Sequence, residues 1–589
     1  MGRYEKMNIK HINLNKILAH PFLCSVIYVT LTLCIVFVVG MPAWEGSDDY
    51  TTSHLLMGTS GEQTPYVLVI NYYLAEFIVK MQQLIPTVNW LSILEIGSVW
   101  GAFVIVEWFL LKNSNRKTAI LVLVFPLIFV FGFYITLQYT RTTFLYCFAG
   151  GLIIFDGIFN RPAKIVDGIY SRCILGGKIL IGMLLFSIGV LFRNRCFYLV
   201  MLYIGLLVFN VLVFEKKGKE FKKRIKKYII FLSVSLILFL VIFVSQKANS
   251  AAYEKFDQTN NYRKYNRIRS DVTDYLPSLY GEIFVNGELL ISENDWLMLQ
   301  YLIINDSYFN EHYLNTIYEN LNGLKEQTDV SFQDYVNKIL FYQNGKYKGQ
   351  TSLAIVCCVF FFMGIVMLNK KNWIVIICDI AGTIILSAYF VLNGRYPSWV
   401  AEPIYLMSCV VILYALCHEF VDENRVLNIK LNFLITLMLL CVLGRMKVFA
   451  YEIKQYKYEY NLEKILTYAA GDKNNFYLLD NTINFIYPII DTYGPFKGFE
   501  KGEWENIQRT GNWDIEHPVR NRQKEAYEIE SAILSMATSD TKLISTKENN
   551  KLDIYKVFLK EHYGLDVKIE REMLEDFGDY AVYSIVKAE

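Results

Sequence analysis

Two carboxylates stand side by side in Trp44-Glu45-Gly46-Ser47-Asp48-Asp49-Tyr50, directly after the first long apolar run of the chain. A carboxylate tied to a rigid helix at the bilayer surface can take a proton from a hydroxyl whose carrier is anchored in lipid. Four arginines offer the complementary chemistry. Arg141, Arg193, Arg195 and Arg395 lie at the ends of apolar runs or in the tight turns between them, and a guanidinium fork holds a phosphate through two hydrogen bonds. Each has a plainer alternative: an arginine can snorkel to lipid headgroups, and Ser47 or an aspartate can cap the helix that follows. Glu95, Glu402 and His54 are further candidates to line the same cavity.

These residues depend on membrane helices for their placement. With 54% hydrophobic and 19% charged residues among 589, the chain is more apolar than a soluble domain, and the excess must be buried in lipid. Runs of about 20 apolar residues cross roughly 30 Å of hydrocarbon, and there they satisfy their backbone only as helices. Spans are expected near 22–41, 90–111, 118–138, 142–158, 174–192, 196–214, 228–246, 351–369, 373–393, 399–418 and 430–448. The first has a basic flank like a signal peptide, but its core is too long and Met41-Pro42-Ala43-Trp44 gives no small-residue cleavage site.

Basic residues orient the spans. Arg3, Lys6, Lys10 and Lys16 precede the first, Lys112, Arg116 and Lys117 follow the second, and Lys216 to Lys227 carries eight basic residues after the sixth. With alternating spans all of these share one side, which the positive-inside bias makes cytoplasmic. The N-terminus is then cytoplasmic, and 42–89, 247–350 and 451–589 are extracytoplasmic. The expected parts are an N-terminal transmembrane module over 1–246 with the acidic first external loop at 42–89, a helical insertion on the membrane surface at 247–350, transmembrane helices over 351–450 and an external domain over 451–589. Short β-type runs at Phe476 to Leu479, Lys542 to Ser545 and Tyr580 to Val586, with a helical run from Lys551 to His562, make that last domain α/β. The eleven cysteines all lie in or beside apolar runs, so the external parts fold without disulfides, which favours a bacterial surface over a secretory lumen.

The acidic stretch at 44–50 is followed by Gly61-Glu62-Gln63-Thr64-Pro65 and by an amphipathic pattern from Tyr66 to Pro86 with Leu68, Tyr72, Leu74, Phe77, Ile78 and Met81. This loop, set in a multi-spanning chain with an external C-terminal domain, resembles the GT-C superfamily of glycosyltransferases. The resemblance covers the whole chain in layout, while its local motif is the acidic loop and the helix after it. It implies a GT-C-like fold, a polyprenyl-phosphate-linked sugar as donor, and a cell-envelope glycan or lipid-linked acceptor on the outer face. It also implies that an acidic residue of the first loop, Asp48 or Asp49, binds the acceptor or acts as base. Arg141, Arg193, Arg195 and Arg395 are then candidates for the donor phosphate, and the expected reaction is inverting.

Other classes lack their signals. No GxxxxGK, HExxH or CxxC occurs, and no basic face for nucleic acid. No cofactor or metal is expected, because a monophosphate leaving group can depart without one, although Asp48, Asp49 and His54 could share a divalent cation. Two rivals stay open. A polymerase or ligase of lipid-linked oligosaccharides would place its key residues in 247–350, and a transporter or flippase would need a central polar pathway or inverted halves.

Overall fold

The structure, a computed structural model, describes residues 20–115, 118–160, 169–214, 221–274, 291–327, 348–370, 373–393, 396–419, 425–455, 460–483, 498–574 and 576–588. Among them, ten helices are long and apolar enough to cross a membrane, and a shorter apolar stretch, Ser352–Met367, takes the eighth place. The spans fall where hydropathy puts them. The third is divided into Thr118–Val124 and Pro126–Ile135, because Pro126 offers no amide hydrogen to continue the ladder. Phe221–Glu254 is 34 residues long and runs past the expected end of the seventh span, so its last turns stand clear of the apolar zone. Ser398–Glu419 is enclosed on all sides by its neighbours.

The closest helix pair is Tyr139–Phe159 against Ile169–Phe192. A Cβ at Gly150 would lie 2.4 Å from the Gly182 carbonyl oxygen, and one at Gly182 would lie 2.7 Å from that of Gly150. Only hydrogen on both sides allows this approach, which in lipid supplies the packing that the hydrophobic effect cannot. The pair carries Tyr139 and Arg193 at the same end, so their separation is set by a rigid contact.

The polar segments gather beyond that end. The first loop opens with Ala43–Trp44, which pairs in parallel with Thr136–Leu137, and continues into the helices Ser47–Met57 and Tyr72–Leu84. The C-terminal domain is a five-stranded mixed sheet in the order Ile507–Arg509, Phe476–Leu479, Thr541–Thr546, Tyr580–Lys587, Val567–Arg571. The first three strands are parallel and the last two pairings antiparallel. Alternation along a strand sends Phe476 and Leu478 to one face and Tyr477 and Leu479 to the other, and both faces are buried. The helix Tyr460–Gly471 covers one face.

The second face is covered from elsewhere in the chain. Trp296, Met298, Leu299, Ile303 and Ile304, around the helix Glu293–Gln300, share its core, and the amides of Ile304 and Asn305 both donate to the Thr510 carbonyl. The described part of 291–327 thus packs on the sheet, where a helical layer on the membrane surface was expected. A sheet whose two faces are both apolar needs two coverings. The polar Asp257–Thr273 helix sits nearer the membrane, next to the end of Phe221–Glu254.

Candidate active site

The two neighbouring aspartates have different surroundings. Gly46 is the N-cap of the Ser47–Met57 helix and no side chain caps it, so neither aspartate serves as the cap. Both lie in the first turn, about 100° apart around the axis. Asp49 points inward and is 1% exposed. Its Oδ1 accepts from the Tyr139 amide at 2.8 Å, while Oδ2 and Glu95 Oε1 receive no donor from the described protein, and the two carboxyl groups face one another. Glu95 Oε2 accepts from the Trp44 indole at 3.0 Å. Burial, then the charge of Glu95 and its hydrogen bond, then Asp48, raise the Asp49 pKa well above its ordinary 3.8, against the lowering pull of the Tyr139 amide. This pair is built to hold a proton.

Asp48 turns instead to a cavity of about 700 Å³. Its Oδ2 accepts from the Tyr139 hydroxyl at 3.3 Å. Arg193 donates to the same hydroxyl at 3.0 Å and to Thr140 Oγ1 at 2.8 Å, with its guanidinium over the Tyr139 ring. Asp48, Tyr139 and Arg193 therefore form one continuous hydrogen-bonded line along the cavity wall. Arg195, one residue beyond Asn194 in the short turn between two spans, also lines the cavity and is exposed.

Two more arginines reach the cavity from the Asp257–Thr273 helix. Arg263 donates to Ser250 Oγ at 3.1 Å and lies over the Tyr253 ring, and Arg269 is tied to Asn266, Thr273 and Asp274. Neither was singled out from the sequence, since in a helix rich in charge an arginine facing a cavity looks like one facing water. Four guanidinium groups against the carboxylates of Asp48 and Asp274 make the cavity electropositive, the property an anionic ligand needs.

The C-terminal domain and the insertion close the cavity through Asn512, Trp513 and Leu302. Leu302 adopts φ 54°, a left-handed conformation uncommon for a branched side chain. Its carbonyl lies close against the opposing backbone: a Cβ at Gly511 would lie 1.5 Å from the Leu302 oxygen. Asn512 donates to Thr51 Oγ1 at 2.7 Å, Arg520 to Ser60 Oγ at 2.7 Å, and the amides of Gly502 and Trp504 to the carbonyls of Gly58 and Thr59. The first loop is therefore seated in the last domain.

The remaining candidates lie elsewhere. Arg141 does not line the cavity; it is buried between Glu45 at 2.8 Å and Glu402 at 2.7 Å. That ion triad occupies both carboxylates, with Ser398 donating to the other oxygen of Glu45. His54 is buried in an aromatic stack, with ring centroids 4.3 Å from Trp504, and its Nδ1 pairs with Thr59. Burial and the positive charges of Arg520 and Arg509 push its pKa well down. Asp48, Asp49 and His54 do not form a ligand group. The three-residue group found among the described residues, Asp295, Glu561 and His562, belongs to the C-terminal domain and its covering helix. Arg395 lies outside the described residues.

No family model matches the chain, and no curated protein matches it. Among solved structures, the fold is similar to that of ArnT from Cupriavidus metallidurans bound to undecaprenyl phosphate, over 95% of this chain and 97% of that one, at 10% identity and a TM-score of 0.37. By its own spans and sheet, the chain is a multi-pass α-helical membrane protein with a small α/β domain outside the apolar zone.

Proposed function

We infer that the chain is a membrane glycosyltransferase, moving a sugar from a polyprenyl-phosphate donor to a cell-envelope glycan or lipid-linked acceptor on the outer face of the membrane. The observation that carries this reading is the line Asp48–Tyr139–Arg193 in an electropositive cavity at one end of the spans. A base and a phosphate-binding cation meet there, within reach of a substrate whose tail stays in lipid.

In the proposed reaction the acceptor hydroxyl gives its proton to Asp48 and its oxygen forms the new bond to the anomeric carbon. The bond from that carbon to the phosphate oxygen breaks, and its electrons leave with the polyprenyl phosphate. Arg193 and Arg195 receive the charge that builds on this leaving group, and such preorganised stabilisation is strongest where water is thin. Attack from the face opposite the phosphate inverts the anomeric centre. Asp49 and Glu95 support the site from beneath: the Asp49 bond to the Tyr139 amide fixes the start of that helix against the acidic loop.

Polymerisation or ligation of lipid-linked oligosaccharides is a second reading, favoured by one observation. Arg263 and Arg269, from the 247–350 insertion, face the same cavity. The donor separates the two, since a transferase of the first kind releases a polyprenyl monophosphate and the second a diphosphate. Purified protein in lipid with labelled polyprenyl-monophosphate and polyprenyl-diphosphate sugars, and envelope extracts as acceptors, tests both. Transfer from the monophosphate donor that is lost in Asp48→Asn, with donor binding retained, supports the first reading. Transfer only from the diphosphate donor supports the second, and full activity of Asp48→Asn removes the base.

A further inference from the structure

At the other end of the spans, Asp156 in the last turns of Tyr139–Phe159 is 1% exposed and meets two lysines. Lys112 reaches its Oδ1 at 2.6 Å, and Lys178 contacts its Oδ2. Each lysine side chain keeps 30% of its surface exposed. Both ammonium groups also stand over the Trp108 ring, at 5.4 and 5.3 Å from its centroid. A third amine, Lys227, donates to the Phe159 carbonyl at the end of the same helix, at 3.1 Å.

Three ammonium groups here face one carboxylate and the partial negative charge of one helix C-terminus, roughly half an elementary charge. Among the described residues positive charge is therefore left over, held in place by bonds on one side and partly exposed on the other. The open side meets lipid: Ile174 and Ile181, about one turn to either side of Lys178 on the same face of its helix, are among the exposed apolar residues. An anion that approaches from that direction brings acyl chains with it. A soluble phosphate would gain the charge contact without the apolar one.

We propose that Lys112 and Lys178, seated on Trp108, hold the phosphate of an anionic phospholipid in the leaflet opposite the catalytic cavity. Asp156 takes one hydrogen bond from each ammonium group and offsets part of their charge, and each ammonium keeps hydrogens for a phosphate oxygen. Basic clusters between helices at this depth commonly bind such headgroups, with about fivefold in affinity for each cation near the surface.

The test uses full-length protein, delipidated in detergent and titrated with phosphatidylglycerol or phosphatidylcholine while bound lipid is counted by native mass spectrometry. Saturable retention of phosphatidylglycerol over phosphatidylcholine is expected. Lys112→Gln and Lys178→Gln should each weaken it about fivefold, while Lys178→Arg retains it. Asp156→Asn should tighten it, whereas a triad that served only to join three helices would not respond in this direction. Inorganic phosphate should compete poorly. Equal retention of the two lipids by the wild-type protein would overturn the proposal whether or not any variant folds, and competition by inorganic phosphate as effective as by the lipid would overturn the lipid assignment.

Discussion

Arg141 and Arg193 start from similar positions, at the same end of two neighbouring apolar helices, and end with different chemistry. Arg141 is clamped by Glu45 and Glu402 with 4% of its side chain exposed, so its charge is consumed inside the protein. Arg193 donates to the hydroxyls of Tyr139 and Thr140 at the wall of the cavity. Placement decides the role. Between two buried carboxylates an arginine becomes a tie between helices, and at a cavity wall shared with Arg195, Arg263 and Arg269 it belongs to a cationic surface.

Substitutions that break this contrast have a clear ranking. Removing the base comes first: Asp48→Asn should lower transfer about a hundred- to ten-thousandfold, with the thermal midpoint little changed, as measured by single-turnover assays and melting in detergent. Next comes the tie. Arg141→Met leaves two buried carboxylates uncompensated, and a loss of about 3–5 kcal/mol in stability is expected. Combining it with Glu45→Gln and Glu402→Gln should restore much of the melting temperature, and a triple variant as unstable as the single one would refute the tie. Arg193→Gln should do the opposite, leaving melting nearly intact while transfer falls about a hundredfold, with a higher KM for the donor.

The smallest effect sharpens the comparison at the joint that seats the acidic loop. His517 Nδ1 accepts from the Val519 amide, and the ring lies against Tyr262. Burial holds its pKa at about 3, below the ordinary 6.5. The folded state thus binds fewer protons than the unfolded state between these values, so stability is full above pH 6.5 and is lost as pH falls towards 3. Hydrogen exchange of the C-terminal domain should show this loss, and His517→Asn, which keeps a capping oxygen, should flatten it. Asp49 acts in the reverse direction. Its raised pKa gives stability that is present below the unfolded value and declines as pH rises towards the folded one, so Asp49→Asn should remove a decline on the alkaline side of about pH 4.

The transmembrane frame was legible because lipid leaves little choice: an apolar run of sufficient length must be a helix. Arg193 stood out because the topology expected from the basic residues puts it on the side where cations are scarce. Asp48 and Asp49 could not be told apart, because which of two consecutive residues faces a cavity depends on the rotation of a helix that the pairing of Ala43–Trp44 with Thr136–Leu137 and the clasp of Asn512 on Thr51 help to set. Those partners are far away in the chain. Arg263 and Arg269 were hidden for a different reason: in an exposed polar helix, charge carries no cost and hence no signal. The strands at 476–479 and 541–546 were readable as short β-type runs, Phe476 to Leu479 and Lys542 to Ser545, whereas Ile507–Arg509 is too short to stand out.

The seating of the first loop in the last domain imposes an order on biogenesis. Asp48 leaves the ribosome hundreds of residues before Asn512 and Trp513, yet the cavity is completed by those late residues together with Leu302. A nascent chain that has already threaded its first seven spans presents an acidic loop and a cationic turn without a roof. The chamber is therefore finished at once, after the α/β domain has folded, and half-made copies in the membrane lack its roof.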